Sequence, residues 1–365
     1  MRVKLGDIVE QIRGVSYNPS DLCESSEDGV ILLRANNIQN GEIVLDDVVY
    51  VSKEKIHDSQ YLKQGDILIC TSSGSKELVG KAAFINKDLR ATFGAFCKVV
   101  RPQKGYNNYI GHFFQSSYYR HTISAVSSGA NINNLRNEHI SDLEIPLPPL
   151  ETQRHIAAVL DKVSDLIAKR RQQLDKLDEL VKARFVEMFG DPVTNSKGLV
   201  TRKGSDFFTL TNGKFVPEEK RRDEGIPAYG GNGISWYTDE ILVAHDTIVV
   251  GRVGFQSGNV HFAKGPLWVT DNAMYISDFN KDQYDLRFLC ALMEHIDFTR
   301  FQDAGDLKKI TQKPFMQLSY IAPSIQEQKS FITFVEQNDK AKLAIQKGLE
   351  KLETLKKALM QEYFG

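Results

Sequence analysis

Residues 148–190 read PPLETQRHIAAVLDKVSDLIAKRRQQLDKLDELVKARFVEMFG, and residues 323–365, at an offset of 175 positions, read PSIQEQKSFITFVEQNDKAKLAIQKGLEKLETLKKALMQEYFG. The two stretches align without a gap and share 11 of 43 residues. Both begin at a proline, carry apolar residues at seven-residue spacing and finish in Phe-Gly. A segment that recurs in this way indicates two copies of one plan, each a globular part followed by a long helix.

The two predicted helices share one heptad frame, because their offset of 175 is a whole number of heptads. A helix of about 38 residues would be roughly 57 Å long, which exceeds the diameter of a small domain. Part of each helix must therefore pack on another element, and its twin is the obvious partner. The alternative is a surface helix that lies along its own domain. The residues expected to form the paired seam are Leu160, Ile167, Leu174, Leu177, Val181, Val335, Ile345, Leu349, Leu352 and Leu359.

Start and stop signals mark the ends of these helices. Ser324 and Glu327 have the spacing of a capping box directly after a proline. Gly190, followed by Asp and Pro, is typical of a helix that ends.

The globular parts, residues 1–147 and about 191–322, resemble each other weakly. Gly65–Cys70 (GDILIC) corresponds to His245–Val250 (HDTIVV), a turn that enters a buried strand. Short alternating strands between Gly, Ser and Asn turns indicate mostly β domains with small helices. We therefore expect an α+β protein with four segments, 1–147, 148–190, 191–322 and 323–365.

Composition restricts the class of protein more than its function. The chain has 365 residues, of which 41% are hydrophobic, enough for two or three domain cores. Four scattered cysteines lack metal-ligand spacing, and the sequence contains neither a long apolar run nor an apparent signal peptide. We expect a cytoplasmic protein with reduced thiols, no metal site and no membrane contact. The net charge of −1 means that any nucleic-acid surface must be a local patch, helped by a partner.

The sequence lacks the common catalytic motifs. It has no phosphate-binding G-x-x-x-x-G-K-[ST] loop, and Asn18-Pro19 is followed by serine, which departs from the signature of amino-methyltransferases. The glycine-rich run Tyr229–Gly233 lacks the context of a dinucleotide site, so we interpret it as a turn. An acid–lysine group, Glu218–Lys220 with Asp206, is better explained by chance than by a nuclease core. We expect no catalytic residue and no cofactor in this chain.

What remains is a set of polar loops at matching places in both halves. Arginine forks and asparagine or glutamine amides are the groups that bind guanine and adenine edges. For each single residue the alternative is an ordinary solvated loop. Together the loops favour recognition of bases by Arg34, Asn36, Asn37, Ser73, Lys76, Arg120, Asn131 and Asn133 in the first half, and by Lys214, Arg221, Arg222, Tyr229, Asn232, Trp236, Arg252 and Gln256 in the second.

Three runs carry a resemblance to a known family. Ile145–Arg154 reads IPLPPLETQR and leads into the long helix, and Ile321–Gln328 repeats this junction in weaker form as IAPSIQEQ. Ile226–Ile234 reads IPAYGGNGI. In these runs the chain resembles the specificity subunit of type I restriction–modification systems. The second junction departs from the first, with Ile321-Ala322-Pro323-Ser324 in place of Pro146-Leu147-Pro148-Pro149.

This resemblance implies a specific architecture and set of partners. It implies two target-recognition domains, each of which reads one half of a split site in double-stranded DNA, separated by an antiparallel pair of helices that sets the spacing. It also implies that two methyltransferase subunits dock on the chain, and that translocating endonuclease subunits can join. S-adenosylmethionine, and ATP with Mg²⁺ where the system restricts, would then belong to those partner subunits.

Two other hypotheses remain open. One is a coiled-coil protein-interaction scaffold without DNA specificity, whose β domains bind peptides. The other is a nuclease or methyltransferase that acts alone. Sequence-dependent DNA binding separates recognition from the scaffold.

Overall fold

The computed structural model describes residues 1–75, 77–103, 107–128, 134–305 and 307–365. The chain divides into two units, one formed by Met1–Arg171 with Gln346–Gly365 and the other by Gln172–Ile345. Each unit has its own sheets and its own buried core.

The first unit combines twelve short strands with small helices. The strands are β1 (Arg2–Lys4), β2 (Val9–Arg13), β3 (Leu22–Cys23), β4 (Gly29–Leu33), β5 (Ile38–Gln39), β6 (Glu42–Ile43), β7 (Val49–Ser52), β8 (Ile67–Cys70), β9 (Ala82–Phe84), β10 (Ala91–Phe93), β11 (Cys97–Pro102) and β12 (Glu144–Pro146). The helices are α1 (Asn107–Phe113), α2 (Ser117–Ser128), α3 (Asn137–Ser141) and the first part of α4 (Leu150–Phe189).

The second unit repeats this arrangement with nine strands. They are β13 (Thr201–Lys203), β14 (Phe208–Asn212), β15 (Ile226–Gly230), β16 (Gly233–Thr238), β17 (Thr247–Gly251), β18 (Val260–Ala263), β19 (Trp268–Val269), β20 (Ala273–Phe279) and β21 (Ser319–Ile321). Its helices are α5 (Leu286–Glu294), α6 (Gln312–Gln317) and the first part of α7 (Ile325–Phe364). The last part of α4 also belongs to this unit, and the last part of α7 belongs to the first unit.

The two units share one sheet topology. The main antiparallel sheet has the order β2-β11-β8-β9 in the first unit and β14-β20-β17-β18 in the second. In each unit a parallel pair, β10 with β4 or β19 with β15, belongs to the second sheet. Strands β8 and β17 are buried along their whole length and hold the same place in their sheets. The predicted correspondence of the two strands is confirmed, but the register is shifted by one residue: Cys70 pairs with Cys97 as Gly251 pairs with Ala273, so Gly65–Cys70 matches 246–251 and not His245–Val250.

In the first unit the start of α4 lies against the end of α7. Leu160 of α4 shares a buried core with Met360 and Phe364 of α7. Farther along, the guanidinium of Arg171 pairs with the carboxylate of Glu353 at 2.8 Å. Since residue numbers rise along α4 while those of its partners fall, the two segments run antiparallel.

The second unit pairs the opposite ends of the same helices. Lys342 of α7 pairs with the carboxylate of Asp178, and the rings of Phe331 and Phe185 lie 5.5 Å apart, centroid to centroid. These segments are antiparallel as well. The helix α7 begins with the predicted capping box, in which the Ser324 amide donates to the Glu327 carboxylate at 2.9 Å.

Of the predicted seam residues, Leu160 and Leu359 belong to or pack against the core that α4 and α7 share in the first unit, and Val181 and Val335 pack against the core of the second. Pairing of the helices within each unit is thereby confirmed. Sequence reasoning noted Phe189 and Phe364 only as the shared Phe-Gly ends and did not single out Phe185 and Phe331. All four fill the cores beside the seam. Of the predicted seam, Leu160, Ile167 and Leu349 are buried, while Leu174, Leu177, Val181, Val335, Ile345, Leu352 and Leu359 are half-buried.

A hydrogen-bonded contact between a basic side chain of the β domain and a carboxylate of the long helix recurs at the same offset of 175 residues. In the first unit the imidazole Nε2 of His112 on α1 lies 2.8 Å from a carboxylate oxygen of Asp161 on α4. In the second, Arg287 on α5 lies 2.8 Å from Glu336 on α7. The hydrogen bond from His112 lowers the pKa of the Asp161 carboxyl. The repeat therefore includes this contact between the β domain and the long helix of each unit.

Candidate nucleic-acid interface

A close crossing of two loops builds the candidate site in each unit. A Cβ added to Gly14, just after β2, would lie 2.1 Å from the carbonyl oxygen of Gly94. A Cβ added to Gly213, just after β14, would lie equally close, at 2.1 Å, to the carbonyl oxygen of Thr270. Only glycine permits backbone approach at this distance. In the first unit the loop after β2 thus contacts the loop after β10, and in the second unit the loop after β14 contacts the loop after β19 in the same way.

The same backbone hydrogen bonds hold the crossing loops together in both units, and we call this arrangement the loop junction. The amide of Val15 donates to Phe93 O at 2.8 Å, and the amide of Lys214 donates to Val269 O at 2.9 Å. The turn after β8 joins through Thr71 N, which donates to Phe96 O at 2.9 Å, and its counterpart Arg252 N donates to Asn272 O at 2.9 Å. Three loops that are far apart in sequence therefore meet at one place in each unit.

In the first unit this junction borders a cleft of about 660 Å³. We call it the first loop cleft. It brings together three of the predicted base-contacting residues, Arg34, Asn36 and Ser73, and adds the aromatic residues Tyr17 and Phe96, which sequence reasoning missed. The cleft is lined by Val15, Ser16, Tyr17, Arg34, Ala35, Asn36, Ser72, Ser73, Gly74, Gly94, Ala95, Phe96 and Cys97.

Asp47 organises the polar wall of the first loop cleft. Its carboxylate accepts from the guanidinium of Arg34 at 3.1 Å and from the amide of Asn36 at 2.7 Å. Asn37 is buried, and its side chain holds the loop through the amide of Arg34 and the carbonyl of Val44. Asn37 thus positions its neighbours, whereas Arg34 and Asn36 are presented at the surface.

The second unit presents a different set of side chains on the same frame. A Cβ added to Gly251 would lie 2.5 Å from the carbonyl oxygen of Gly231, so the hairpin segment Tyr229–Gly233, where β15 turns into β16, and the loop Gly251–Gln256 are in backbone contact. We call these two segments the second loop cluster. The amide of Asn259 donates to the Asn232 side chain at 3.4 Å and to Gln256 at 2.5 Å. This network brings two predicted residues, Asn232 and Gln256, together.

Acidic side chains balance the basic cluster that Lys220 forms with the predicted residues Arg221 and Arg222. Lys220 pairs with Glu240 at 2.5 Å and Arg222 with Asp239 at 3.1 Å. Arg221 pairs with Glu218 at 3.2 Å and lies over the ring of Trp236, 5.3 Å from its centroid. The cluster is therefore a network of exposed ion pairs around an aromatic ring, not an unscreened cationic patch.

The remaining predicted residues have mixed placements. Arg120 does not line the first loop cleft but donates to the carbonyls of Val79 and Glu77 and so braces the turn before β9. Tyr229 is half-buried, and burial raises the pKa of its phenol. Lys214 is exposed, and Arg252 donates from its guanidinium to the carbonyl of Asp271 at 3.1 Å. Lys76, Asn131 and Asn133 lie outside the described residues.

The chemistry of the two sites is that of polar recognition. Arginine, asparagine, glutamine and serine together offer donors and acceptors of the kind that match base edges. Within the described ranges, no group of three or more His, Cys, Asp or Glu side chains could hold a metal ion. No helix in the described part of the chain is long and apolar enough to cross a membrane. Burial raises the pKa of the Cys70 thiol, and that of Cys97 to about 12, so both remain protonated near neutrality.

Comparison with known proteins gives one consistent family. The family described as "Type I restriction modification DNA specificity domain" matches residues 1–179 and 196–356. The type I restriction enzyme EcoKI specificity subunit of Escherichia coli (strain K12) is 33% identical over 298 residues, which are 81% of this chain and 58% of that protein. The StySPI specificity subunit of Salmonella potsdam is 40% identical over 173 residues, 47% of this chain and 37% of that protein. This chain thus spans only part of the length of these curated relatives.

The fold has solved counterparts as well. A type I restriction–modification S subunit from M. genitalium superposes with a TM-score of 0.64 and covers 100% of this chain and 96% of its own, at 14% sequence identity. That likeness supports the fold, including the repeat of two units. Because the family match extends over nearly the whole chain and falls once on each repeat, the protein belongs to the type I restriction–modification DNA specificity family.

Proposed function

We propose that this protein is the non-catalytic DNA-recognition subunit of a type I restriction–modification system. Each unit reads one half of a bipartite site in double-stranded DNA. The observation that carries the proposal is the repeated three-loop junction, which keeps its backbone contacts in both units but presents different polar side chains. Arg34, Asn36 and Ser73 occupy the first loop cleft, while Asn232, Arg252 and Gln256 occupy the second loop cluster. A constant frame with different side chains suits two half-sites of different sequence.

Two methyltransferase subunits would dock on the long helices. Leu180 and Leu355 occupy equivalent positions of the repeat and are 48% and 46% exposed. Paired apolar positions of this kind offer two similar contacts, which fits two copies of one partner. The partner subunits would bind S-adenosylmethionine, and endonuclease subunits that bind ATP and Mg²⁺ would join where the system restricts. The complex would work in the cytoplasm, where DNA is accessible.

The proposal is tested by separating recognition from catalysis. The purified chain should transfer no methyl group from S-adenosylmethionine to DNA, whereas its complex with a methyltransferase subunit should methylate one bipartite sequence. Methyl transfer by the chain alone, with partner contamination excluded, would contradict the non-catalytic role. A complex that binds all duplexes equally would instead favour the protein-interaction scaffold.

A further inference from the structure

The exposed phenylalanines of this protein have an uneven distribution. In the part of the chain that the structure describes, three phenylalanines are exposed: Phe96 at 71%, Phe215 at 67% and Phe255 at 89%. Phe96 lines the first loop cleft, Phe255 belongs to the second loop cluster, and Phe215 follows the Gly213 crossing. Scattered exposed apolar side chains are normal on a protein surface, but here two of the three exposed phenylalanines lie at the two sites, and the third lies two residues after a loop crossing.

The backbone of Phe96 is held firmly although its ring is exposed. Phe96 lies in the turn between β10 and β11, which the Cys97 amide closes onto Gly94 O at 2.8 Å. The carbonyl oxygen of Phe96 accepts from the amides of Thr71 and Ser72 at 2.9 and 3.0 Å, and from the Thr71 hydroxyl at 3.2 Å. Because these hydrogen bonds fix the backbone of the turn, the turn cannot move to bury the ring of Phe96 against the protein. The backbone is already in place for contact with a partner, so binding has to order only the side-chain torsions of the ring.

Phe255 is presented in the same manner from a different turn. The amide of Ser257 donates to Gly254 O at 3.0 Å and closes a turn with Phe255 in its middle. The amide of Gly254 donates to Lys308 O at 2.8 Å, which fixes one side of this turn. The structural counterpart of Phe96 in the second unit is instead Asn272, whose carbonyl accepts from Arg252. The two units therefore place an exposed phenylalanine on different loops of one frame.

We propose that Phe96 and Phe255 are base-contacting residues, each of which packs its ring against the bases of one half-site. This rests on the proposed DNA-recognition function. The polar neighbours of each ring fit the partner: Arg34 and Asn36 beside Phe96, and Arg252 and Gln256 beside Phe255, would bind base edges or phosphates, while the ring supplies the apolar contact. Burying most of an exposed phenylalanine ring strengthens binding roughly 5- to 30-fold. The different loop positions of the two rings give each unit its own preferred base step.

The test uses the full chain in complex with its methyltransferase subunit and a duplex library with about 20 randomised base pairs. The wild-type complex should enrich a bipartite sequence. Phe96→Ala should weaken binding to the enriched duplex roughly 5- to 30-fold and lose preference at one or two positions of the first half-site only. Phe255→Ala should do the same at the second half-site. The matched control is Val200→Ala, which truncates a side chain that is 67% exposed but lies away from both sites, and should bind as the wild type does.

Two measurements distinguish the loss of an apolar base contact from a folding defect and from the loss of a phosphate contact. Thermal unfolding of the Phe96→Ala chain should match the wild type, because the ring makes few contacts within the protein. The slope of log affinity against log salt should also be unchanged, since no phosphate contact is lost. Wild-type affinity and preference for both variants, or an equal loss in Val200→Ala, would overturn the proposal. Failure of the wild-type complex to enrich any sequence would overturn the DNA-recognition function itself, and the proposal with it.

Discussion

Substituting alanine for the glycine at either loop crossing should damage one unit and leave the other intact. The added Cβ of Gly14→Ala would lie 2.1 Å from Gly94 O, and that of Gly213→Ala would lie 2.1 Å from Thr270 O. Both obstacles are backbone atoms, so the loops themselves must separate by about 1.4 Å or more to reach the distances of ordinary contacts. Forcing atoms into a packed site of this kind costs about 1–3 kcal/mol of unfolding free energy.

The effect on stability and the effect on recognition are measured separately. For units of this size the loss corresponds to a fall of roughly 3–10 °C in the midpoint of thermal unfolding. Selection from a randomised duplex library should show that Gly14→Ala relaxes the first half-site and Gly213→Ala the second. Gly305→Ala is the matched control, because its added Cβ would have no heavy atom within 4 Å. Wild-type stability in both crossing variants would refute the steric argument, and loss of both half-sites in each would refute the assignment of one half-site to each unit.

Three further outcomes are expected. Arg34→Ala or Asn36→Ala should lose about 1–3 kcal/mol of binding free energy at the first half-site if the side chain contacts a base, and Arg252→Ala should lose the same at the second. Methylation profiling measures this loss, and uniform weakening on all sequences would indicate phosphate contacts instead. The pKa of Asp161 is lowered, so its pair with His112 stabilises the fold above the ordinary carboxyl pKa of 3.8 and loses that contribution as the pH falls through the lowered value. Denaturant unfolding should therefore show Asp161→Asn less stable than wild type at pH 7, by at most about 1 kcal/mol because the carboxylate is partly exposed, with the gap closing below about pH 4; a constant gap would contradict the ionic cause. Insertion of four residues near Gln172 should change the preferred gap between half-sites and leave both half-sites as they are; an unaltered gap, measured by the same profiling, would mean that the helices do not set the distance.

The long helices and the repeat could be predicted from sequence because their signals are local. A heptad pattern needs only the spacing of Leu160, Ile167 and Leu174 along one segment, and the capping box of Ser324 with Glu327 spans a single turn. The buried strands were predictable for the same reason, since a run such as Ile67–Cys70 has no polar residue to place in water. These features depend on residues that are close in sequence, and not on the rest of the chain.

The composition of the sites was decided only by tertiary structure. Gly14 meets Gly94, Arg34 meets Asp47, and Gly231 meets Gly251, and in none of these pairs does local periodicity indicate the partner. The same limit explains why the sequence, which predicted base contacts for Arg221 and Arg222, did not show that Arg222 pairs with Asp239, a residue directly after β16. Burial and charge pairing are long-range properties set by which strands are neighbours, whereas residue type and spacing are properties of the chain alone. The sequence by itself therefore determined the helices, the repeat and the kind of loops, while the packed sheets decided which loop side chains face a common partner.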